Sequence, residues 1–319
     1  MMKWQKLGKI FDPSTVTLAD GCTEFAKSPQ ALVFDDFVRI YFCAQKKTAN
    51  SKYLSCPMYV DFDKSMTHML ALSEHSVIQP GELGHFDEHG IFPFSVTRDD
   101  DSIIAYTSGW SRRTSVSVDM SIGFAKSTDQ GVSFKRFGAG GPVMAANQHE
   151  PMMVADAFVL KINGSYHMWY IFGSHWQKKS ADGAAERFYK IAYAHSMDGI
   201  HWQRTGKTII DEKIPDECQA LPTVIYAAGK YHMYFCYRSA YDFRQNSKNA
   251  YRLGYAWSDD LISWTRDDGE AGIELSDSGW DSEMMCYPNL FETDGQIYLL
   301  YNGNEFGRYG FGLARLTEL

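Results

Sequence analysis

A glutamate recurs along this chain as Glu24, Glu88, Glu150, Glu217 and Glu283, at intervals of 62 to 67 residues. In four of the five cases a proline follows five positions later, as Pro29, Pro93, Pro222 and Pro288, and after Glu150 that place is taken by Ala155. Carboxylates are, with histidine, the side chains that most often serve as general acids and bases. Several of them gathered in one small space are costly unless one pKa rises, a cation enters or a positive part of a ligand binds. A raised carboxyl is what a general acid needs at neutral pH. The repeat therefore predicts a convergent carboxylate site, provided that the fold brings the five positions together.

The segments after the glutamates predict such a fold. Each opens on a short apolar run, a turn and an aromatic-rich run: ALVFDDFVRIYF, FSVTRDDDSIIAYT, AFVLKINGSYHMWY, TVIYAAGKYHMYF and NLFETDGQIYLLY. Two strands joined by an Asp, Asn or Gly turn account for each, because those residues tolerate positive φ. A second hairpin closes most units, as in SIGFAKSTDQGVSF, KIAYAHSMDGIHW and LGYAWSDDLISW. Their Ser/Asp turns read as structural, with side chains bonded to the backbone of the turn itself. Four antiparallel strands in each of five units predict an all-β, five-bladed β-propeller, a single domain over residues 1–319. The N-terminal WQKLGKIFD is similar to the last strand of the third unit, WQRTGKTIID, while the fifth unit ends after three strands. The N-terminal strand is thus expected to close the last blade and remove a sheet edge. A short helix is expected within SADGAAER, between residues 177 and 187, and 241–250 forms a second long connection.

In a propeller the first strand of each blade lines the central channel, and the loops after the second strand rim the same mouth. Those loops hold Trp110 and Arg112, His175 and Trp176, Arg238 and Tyr241, and Asn302 and Asn304. Aromatic faces suit the C–H surface of a sugar, and amides and guanidinium groups suit its hydroxyls or a carboxylate. With Glu150 and His89 they form the expected sugar-binding set. Arg112, Arg113, Arg238 and Arg244 point to an anionic sugar, or else balance the glutamates. His85, Asp87, Glu88 and His89 are the densest group of metal-ligating types, and a divalent cation in the channel would draw on them. No phosphate loop, dinucleotide fingerprint or nucleophile elbow is present, so no other cofactor is expected.

Over essentially its whole length the chain resembles the five-bladed glycoside hydrolases of families 43 and 32. The resemblance implies carboxylate acid/base cleavage of a glycosidic bond in the funnel. The run from Ala155-Asp156-Ala157-Phe158 to Asn163-Gly164 matches the inner-strand aspartate pattern of family 43, which implies that Asp156 orients the proton donor or sets its pKa. Glu217-Cys218 resembles the Glu-Cys that carries the acid/base in family 32, which implies Glu217 as proton donor, although its spacing to proline is longer. Lys27-Ser28-Pro29 stands where those relatives place a catalytic aspartate. The water-activating role therefore stays open among Glu24, Glu88 and Glu283. Two rivals remain. One is a glycoside phosphorylase or transglycosylase, with Arg112, Arg113 and Arg238 available to phosphate. The other is a non-catalytic sugar-binding propeller in glycan assembly, which the missing blade-one aspartate favours.

Bulk properties set the outer limits. The 319 residues are 45% hydrophobic and 22% charged, enough for a sizeable core. A net charge of -8 provides no basic field for nucleic acid or an anionic membrane surface. The N-terminal residues lack the apolar core of a signal peptide, and no run of about 18 apolar residues offers a span, so a cytoplasmic location is expected. Cys22, Cys43, Cys56, Cys218, Cys236 and Cys286 form no CxxC pair and read as buried free thiols.

Overall fold

The computed structural model describes residues 2–319, and its strands form five four-stranded antiparallel sheets. The first strand, β1 (Lys3–Phe11), belongs to the last blade. Blade one contains β2 (Glu24–Val33), β3 (Phe37–Lys47), β4 (Tyr53–Asp63) and β5 (Met69–Leu72). Blade two contains β6 (Ile91–Asp99), β7 (Ser102–Arg112), β8 (Val118–Ser127) and β9 (Lys135–Arg136). Blade three contains β10 (Val154–Ile162), β11 (Ser165–Lys178), β12 (Ala185–Ser196) and β13 (Gln203–Thr208). Blade four contains β14 (Glu217–Ala227), β15 (Lys230–Ser239), β16 (Arg252–Ser258) and β17 (Thr265–Arg266). Blade five contains β18 (Cys286–Thr293), β19 (Gln296–Asn302) and β20 (Phe311–Glu318), and β1 pairs antiparallel with β20 to complete it. The expected five-bladed, all-β propeller and its closure by the N-terminal strand are both present. Among the described residues no helix is long and apolar enough to cross a membrane.

The blades pack through their middle strands, where β-branched and aromatic residues face the neighbouring sheet. Trp169, Tyr41, Tyr106, Tyr170, Tyr234 and Phe235 are among the largest fully buried side chains. Tyrosine hydroxyls also tie blade to blade: Tyr41 donates to the Gly131 carbonyl at 2.8 Å and Tyr106 to the Gly199 carbonyl at 2.9 Å. Both acceptors lie in the Ser/Asp turns. In those turns Ser127 Oγ accepts the Gly131 N–H at 2.8 Å, Ser196 Oγ the Gly199 N–H at 2.9 Å, and Ser258 Oγ the Leu261 N–H at 2.9 Å. These side chains close their own turns, the structural role expected of them. All six cysteines are free and buried.

The expected helix in SADGAAER does not form. Trp176 pairs with Arg187, Gln177 with Glu186 and Lys178 with Ala185, so the β11–β12 ladder runs on to a tight turn near Gly183. Cross-strand pairing outweighs the helix preference of a few alanines.

Every inner strand breaks its register at its start or near its middle. The shifts fall between Lys27 and Gln30, Ile91 and Phe94, Ala155 and Phe158, Ala220 and Thr223, and Cys286 and Asn289. These are β-bulges, which kink a strand and re-aim a side chain. They show that Ala157, seven residues after Glu150, is the counterpart of the prolines in blade three; the Ala155 alignment is two residues out. Bulges also free backbone N–H groups, which neighbouring blades satisfy. Ser28 N–H bonds to Asn302 Oδ1 at 2.8 Å, Asp156 N–H to Ser108 Oγ at 2.8 Å, and Leu290 N–H to Thr223 Oγ1 at 2.9 Å.

Candidate active site

The bulges place the central site. A funnel of about 630 Å³ opens at the ring axis, and Lys27, Phe92, Asp156, Leu221 and Tyr287, one from each blade, line it at or beside the bulges. Ser28, Asp156, Leu221 and Tyr287 take positive φ there (52°, 56°, 48° and 56°). For residues other than glycine this is strained backbone, of the kind that the surrounding structure holds in place at functional sites. Trp110, Tyr189, Tyr251, Phe243 and Phe306 build aromatic walls, and Arg187, Arg238, Arg244, Arg308, Glu283 and Glu305 add charge.

Asp156 sits at the bulge of blade three, buried to 6% exposure. Its backbone N–H is held by Ser108 of blade two, and its Oδ2 accepts the Leu221 N–H of blade four at 3.3 Å. Burial pushes the carboxyl up to about 7, held back by the Leu221 N–H and by the Arg187 charge. At neutral pH such a group exists in both protonation states, which suits a proton donor.

The five glutamates do not converge in this funnel. Glu217 is fully buried and its Oε1 lies 2.6 Å from Arg266 Nη1 and 2.8 Å from Gln219 Nε2, while Oε2 accepts the backbone N–H groups of Lys213 and Ile214. Glu150 is likewise fully buried, 2.7 Å from Arg204 Nη1 and bonded by the Tyr170 hydroxyl. Both partners lie on or beside the outermost strand of the same blade, so these acids turn away from the axis. Asp87 with Arg136 (2.6 Å) and Asp281 with Lys6 (2.8 Å) repeat the arrangement in blades two and five. The true repeat in blades two to five is thus a clamp between an acid at or ahead of the start of the inner strand and a cation on the outer strand. Glu217 is corrected from proton donor to clamp, and Glu150 from sugar contact to clamp.

Glu88 and Glu283 lie within two residues of the clamp acids Asp87 and Asp281, and Glu24 opens blade one, where no such clamp forms among the described residues. Glu24 stands 3.7 Å from Arg308 outside the funnel lining, and Glu88 accepts the Gly84 N–H at 3.0 Å and faces His89 at 3.4 Å. Of the five repeated glutamates only Glu283 lines the funnel, exposed on its wall.

The expected sugar contacts divide in the same way. Trp110 and Arg238 line the funnel. His89 stacks on Trp110 with ring centroids 5.7 Å apart, and the Arg112 guanidinium lies 5.0 Å from the same ring and donates to the Tyr53 carbonyl. These two support Trp110 from behind. His175 stacks on Phe188 at 4.2 Å, Trp176 packs against the core, and Tyr241 lies edge-on to Phe188; none of the three lines the funnel. Asn302 is fully buried, bonding Ser28, Ala26 and Gly310, and Asn304 holds the Glu283 and Met284 N–H groups. Both asparagines shape the walls and touch no ligand space. No group of three or more His, Cys, Asp or Glu suited to a metal exists among the described residues, and Asp87 of the HFDEH run is spent on Arg136.

Sequence reasoning passed over Lys27 and Arg187. Lys27 was visible as the departure from the aspartate pattern of blade one. Burial, with Arg244 and Arg308 nearby, brings its ammonium down to about 8. Arg187 lay inside the segment expected to be helical, which hid its place on β12.

This architecture is the five-bladed propeller of family 43-like glycoside hydrolases. Among solved structures, a thermostable family-43 glycoside hydrolase aligns with a TM-score of 0.64 at 15% identity, covering 94% of this chain and 91% of that one. The β-1,2-mannobiose phosphorylase of Listeria innocua, in complex with β-1,2-mannobiose, aligns with a TM-score of 0.65 at 14% identity, over 98% and 96%. A BT0996–RGII complex reaches 0.72 at 14%, over 98% and 92%. At these identities the likeness establishes the fold. Two proteins of Mycobacterium tuberculosis, Rv1502 of strain H37Rv and MT1551 of strain CDC 1551, both described as uncharacterized, are 33% identical over 99% of this chain and 100% of their own. The chain belongs to the family of these two proteins. No family model matches it.

Proposed function

We propose that the protein is a glycoside-cleaving enzyme in which Asp156 delivers a proton to the departing glycosidic oxygen. The observation that carries this reading is a single carboxyl buried at the bulge of the axial funnel, with a pKa near neutrality and, among the described residues, no cation bonded to it. Glu283, on the funnel wall, takes the water-activating role in this reading. In that step the water oxygen bonds to the anomeric carbon while Glu283 takes its proton, the glycosidic C–O bond breaks, and the leaving oxygen takes the proton of Asp156. Trp110, Tyr287 and Phe306 offer ring faces to the sugar.

The test is a panel of aryl glycosides with the wild type and Asp156→Asn. The variant should lose about 10²- to 10⁴-fold in kcat/KM on substrates with poor leaving groups. It should lose far less on dinitrophenyl glycosides, whose leaving group needs no proton. Wild-type activity should decline as pH rises through about 7, where Asp156 gives up its proton. Equal loss on both classes of substrate, or no loss, would remove Asp156 as the donor.

A further inference from the structure

Two sets of cations in this molecule contrast. Arg39, Arg136, Arg204 and Arg266 each face a carboxylate at 2.6 to 2.7 Å. Buried Arg238, half-buried Lys27 and Arg187, and Arg244, exposed at the funnel, all line that cavity and have no carboxylate within 4.0 Å among the described residues. Arg238 is only 2% exposed; its Nη1 donates to the Ser239 carbonyl at 2.7 Å and its Nε has no partner. Its guanidinium lies 3.6 Å from the Phe243 ring centroid, and Arg244 lies 4.1 Å from the same ring. Arg238 and Arg187 both depress the Arg244 pKa beyond the effect of burial, and Arg244 and Arg308 do the same to Lys27. The four charges therefore act on one space. Arg187 also acts on Asp156, so that space adjoins the proposed acid.

Removing a cation from water without a counter-charge is costly, and a fold that holds buried Arg238 and half-buried Lys27 and Arg187 on one funnel, with Arg244 exposed beside them, has left room for an anion. The protein's own acids do not fill it. Asp156 titrates near 7, Glu305 on the wall is engaged with Arg308 at 3.7 Å, and Glu283 on the wall and Glu186, which offsets part of the charge on Arg244, both stand more than 4.0 Å from the four cations. A single carboxylate would leave most of the positive charge unmatched, whereas a dianion with three oxygens can take several charge-assisted bonds at once.

We propose that the funnel binds a phosphate-class dianion, clasped by Lys27, Arg187, Arg238 and Arg244 next to Asp156. This deepens the glycoside-cleaving reading by giving the substrate, or its co-substrate, a phosphate group. Two sources share that chemistry: a phosphate carried by the sugar, and free phosphate. In the second case a phosphate oxygen bonds to the anomeric carbon as the glycosidic C–O bond breaks. The leaving oxygen takes the proton of Asp156, and the proton shed by hydrogen phosphate restores it.

Calorimetric titration at pH 7 and low salt with inorganic phosphate, a hexose phosphate and galacturonate tests the site. At least one of the two phosphates should bind saturably and more tightly than galacturonate. Arg244→Gln and Lys27→Met should each weaken that binding about tenfold, the worth of one charge-assisted bond. Arg238→Gln should weaken it more, and because Arg238 is buried, its folding is checked by thermal melting. Inorganic phosphate that binds alone and is converted to a hexose 1-phosphate, seen by phosphorus NMR, supports the site and assigns a co-substrate. A hexose phosphate that binds where inorganic phosphate does not supports the site and assigns a substituent. Binding of neither, equal binding of galacturonate, or insensitivity to Arg244→Gln and Lys27→Met overturns the proposal. Neutral glycosides cleaved through Asp156 at a rate indifferent to Arg244→Gln would refute the anion site alone. Variant-sensitive phosphate binding without any Asp156-dependent cleavage would refute the glycosidase reading alone.

Discussion

The clamps at the start of the inner strands and the bulges within them lie a few residues apart in blades two to five, yet they treat buried charge in opposite ways. Glu217 in its clamp has each oxygen occupied, by Arg266, by Gln219 and by two backbone amides. Asp156 at its bulge has one long bond from a backbone amide and a pKa displaced to about 7. The clamps join the first and last strands of a blade; the bulges aim single side chains at the axis. Completeness of pairing, not burial or repetition, separates the acid that holds the fold from the acid that can exchange a proton.

Three changes would break or sharpen this contrast. Glu217→Ala has the largest expected effect on stability, because it strips Arg266 of its buried partner. A loss of about 3–5 kcal/mol is expected from denaturant unfolding. A neutral result would mean that the clamps hold nothing. Asp156→Asn should do the reverse, and only above acidic pH. The native state keeps this proton up to about pH 7, whereas the unfolded chain releases it near 3.8. The native state therefore binds more protons across that window, and wild-type stability declines as pH rises through it. The variant escapes this penalty and should gain stability at pH 8, by at most about 4 kcal/mol, and nothing at pH 3. Melting curves at the two pH values check it. A gain of equal size at both would place its origin in packing. The smallest effect belongs to Ser258→Ala, which removes the acceptor for the Asp260 and Leu261 amides and should cost about 1 kcal/mol. No change in the melting temperature would show that water replaces the hydroxyl.

The propeller was legible because its signals are local and repeated: alternating runs, Asn-Gly and Ser/Asp turns, and a terminal strand whose sequence matches the outer strand of another blade. The site was legible only in part. Asp156 could be singled out because its run matches the inner-strand aspartate pattern of family 43, which the chain resembles. Glu217 and Glu150 misled because spacing cannot reveal that Arg204 and Arg266, on outer strands 54 and 49 residues further on, claim those carboxylates. Asn302 misled for a similar reason, since the bulge amide of Ser28 that it caps lies 274 residues away. Arg187 and Arg244 come together with Lys27 only once the ring is closed. Periodicity reports which strand a residue occupies, while pairing across the sheet decides which charges are left over for a ligand.

The β1–β20 ladder brings Lys3 opposite Glu318, their side chains 2.7 Å apart, so the two ends of the chain leave the molecule at the same corner. Because the two strands are antiparallel, a force drawing the ends apart loads that ladder one hydrogen bond at a time. Heat, by contrast, must disrupt the same strand together with Phe11, which packs on Phe42 and Phe311. Mechanically the ring is a zip with its slider at the outer edge of blade five: pulled from the ends, it opens there first, while the funnel at the axis is still intact.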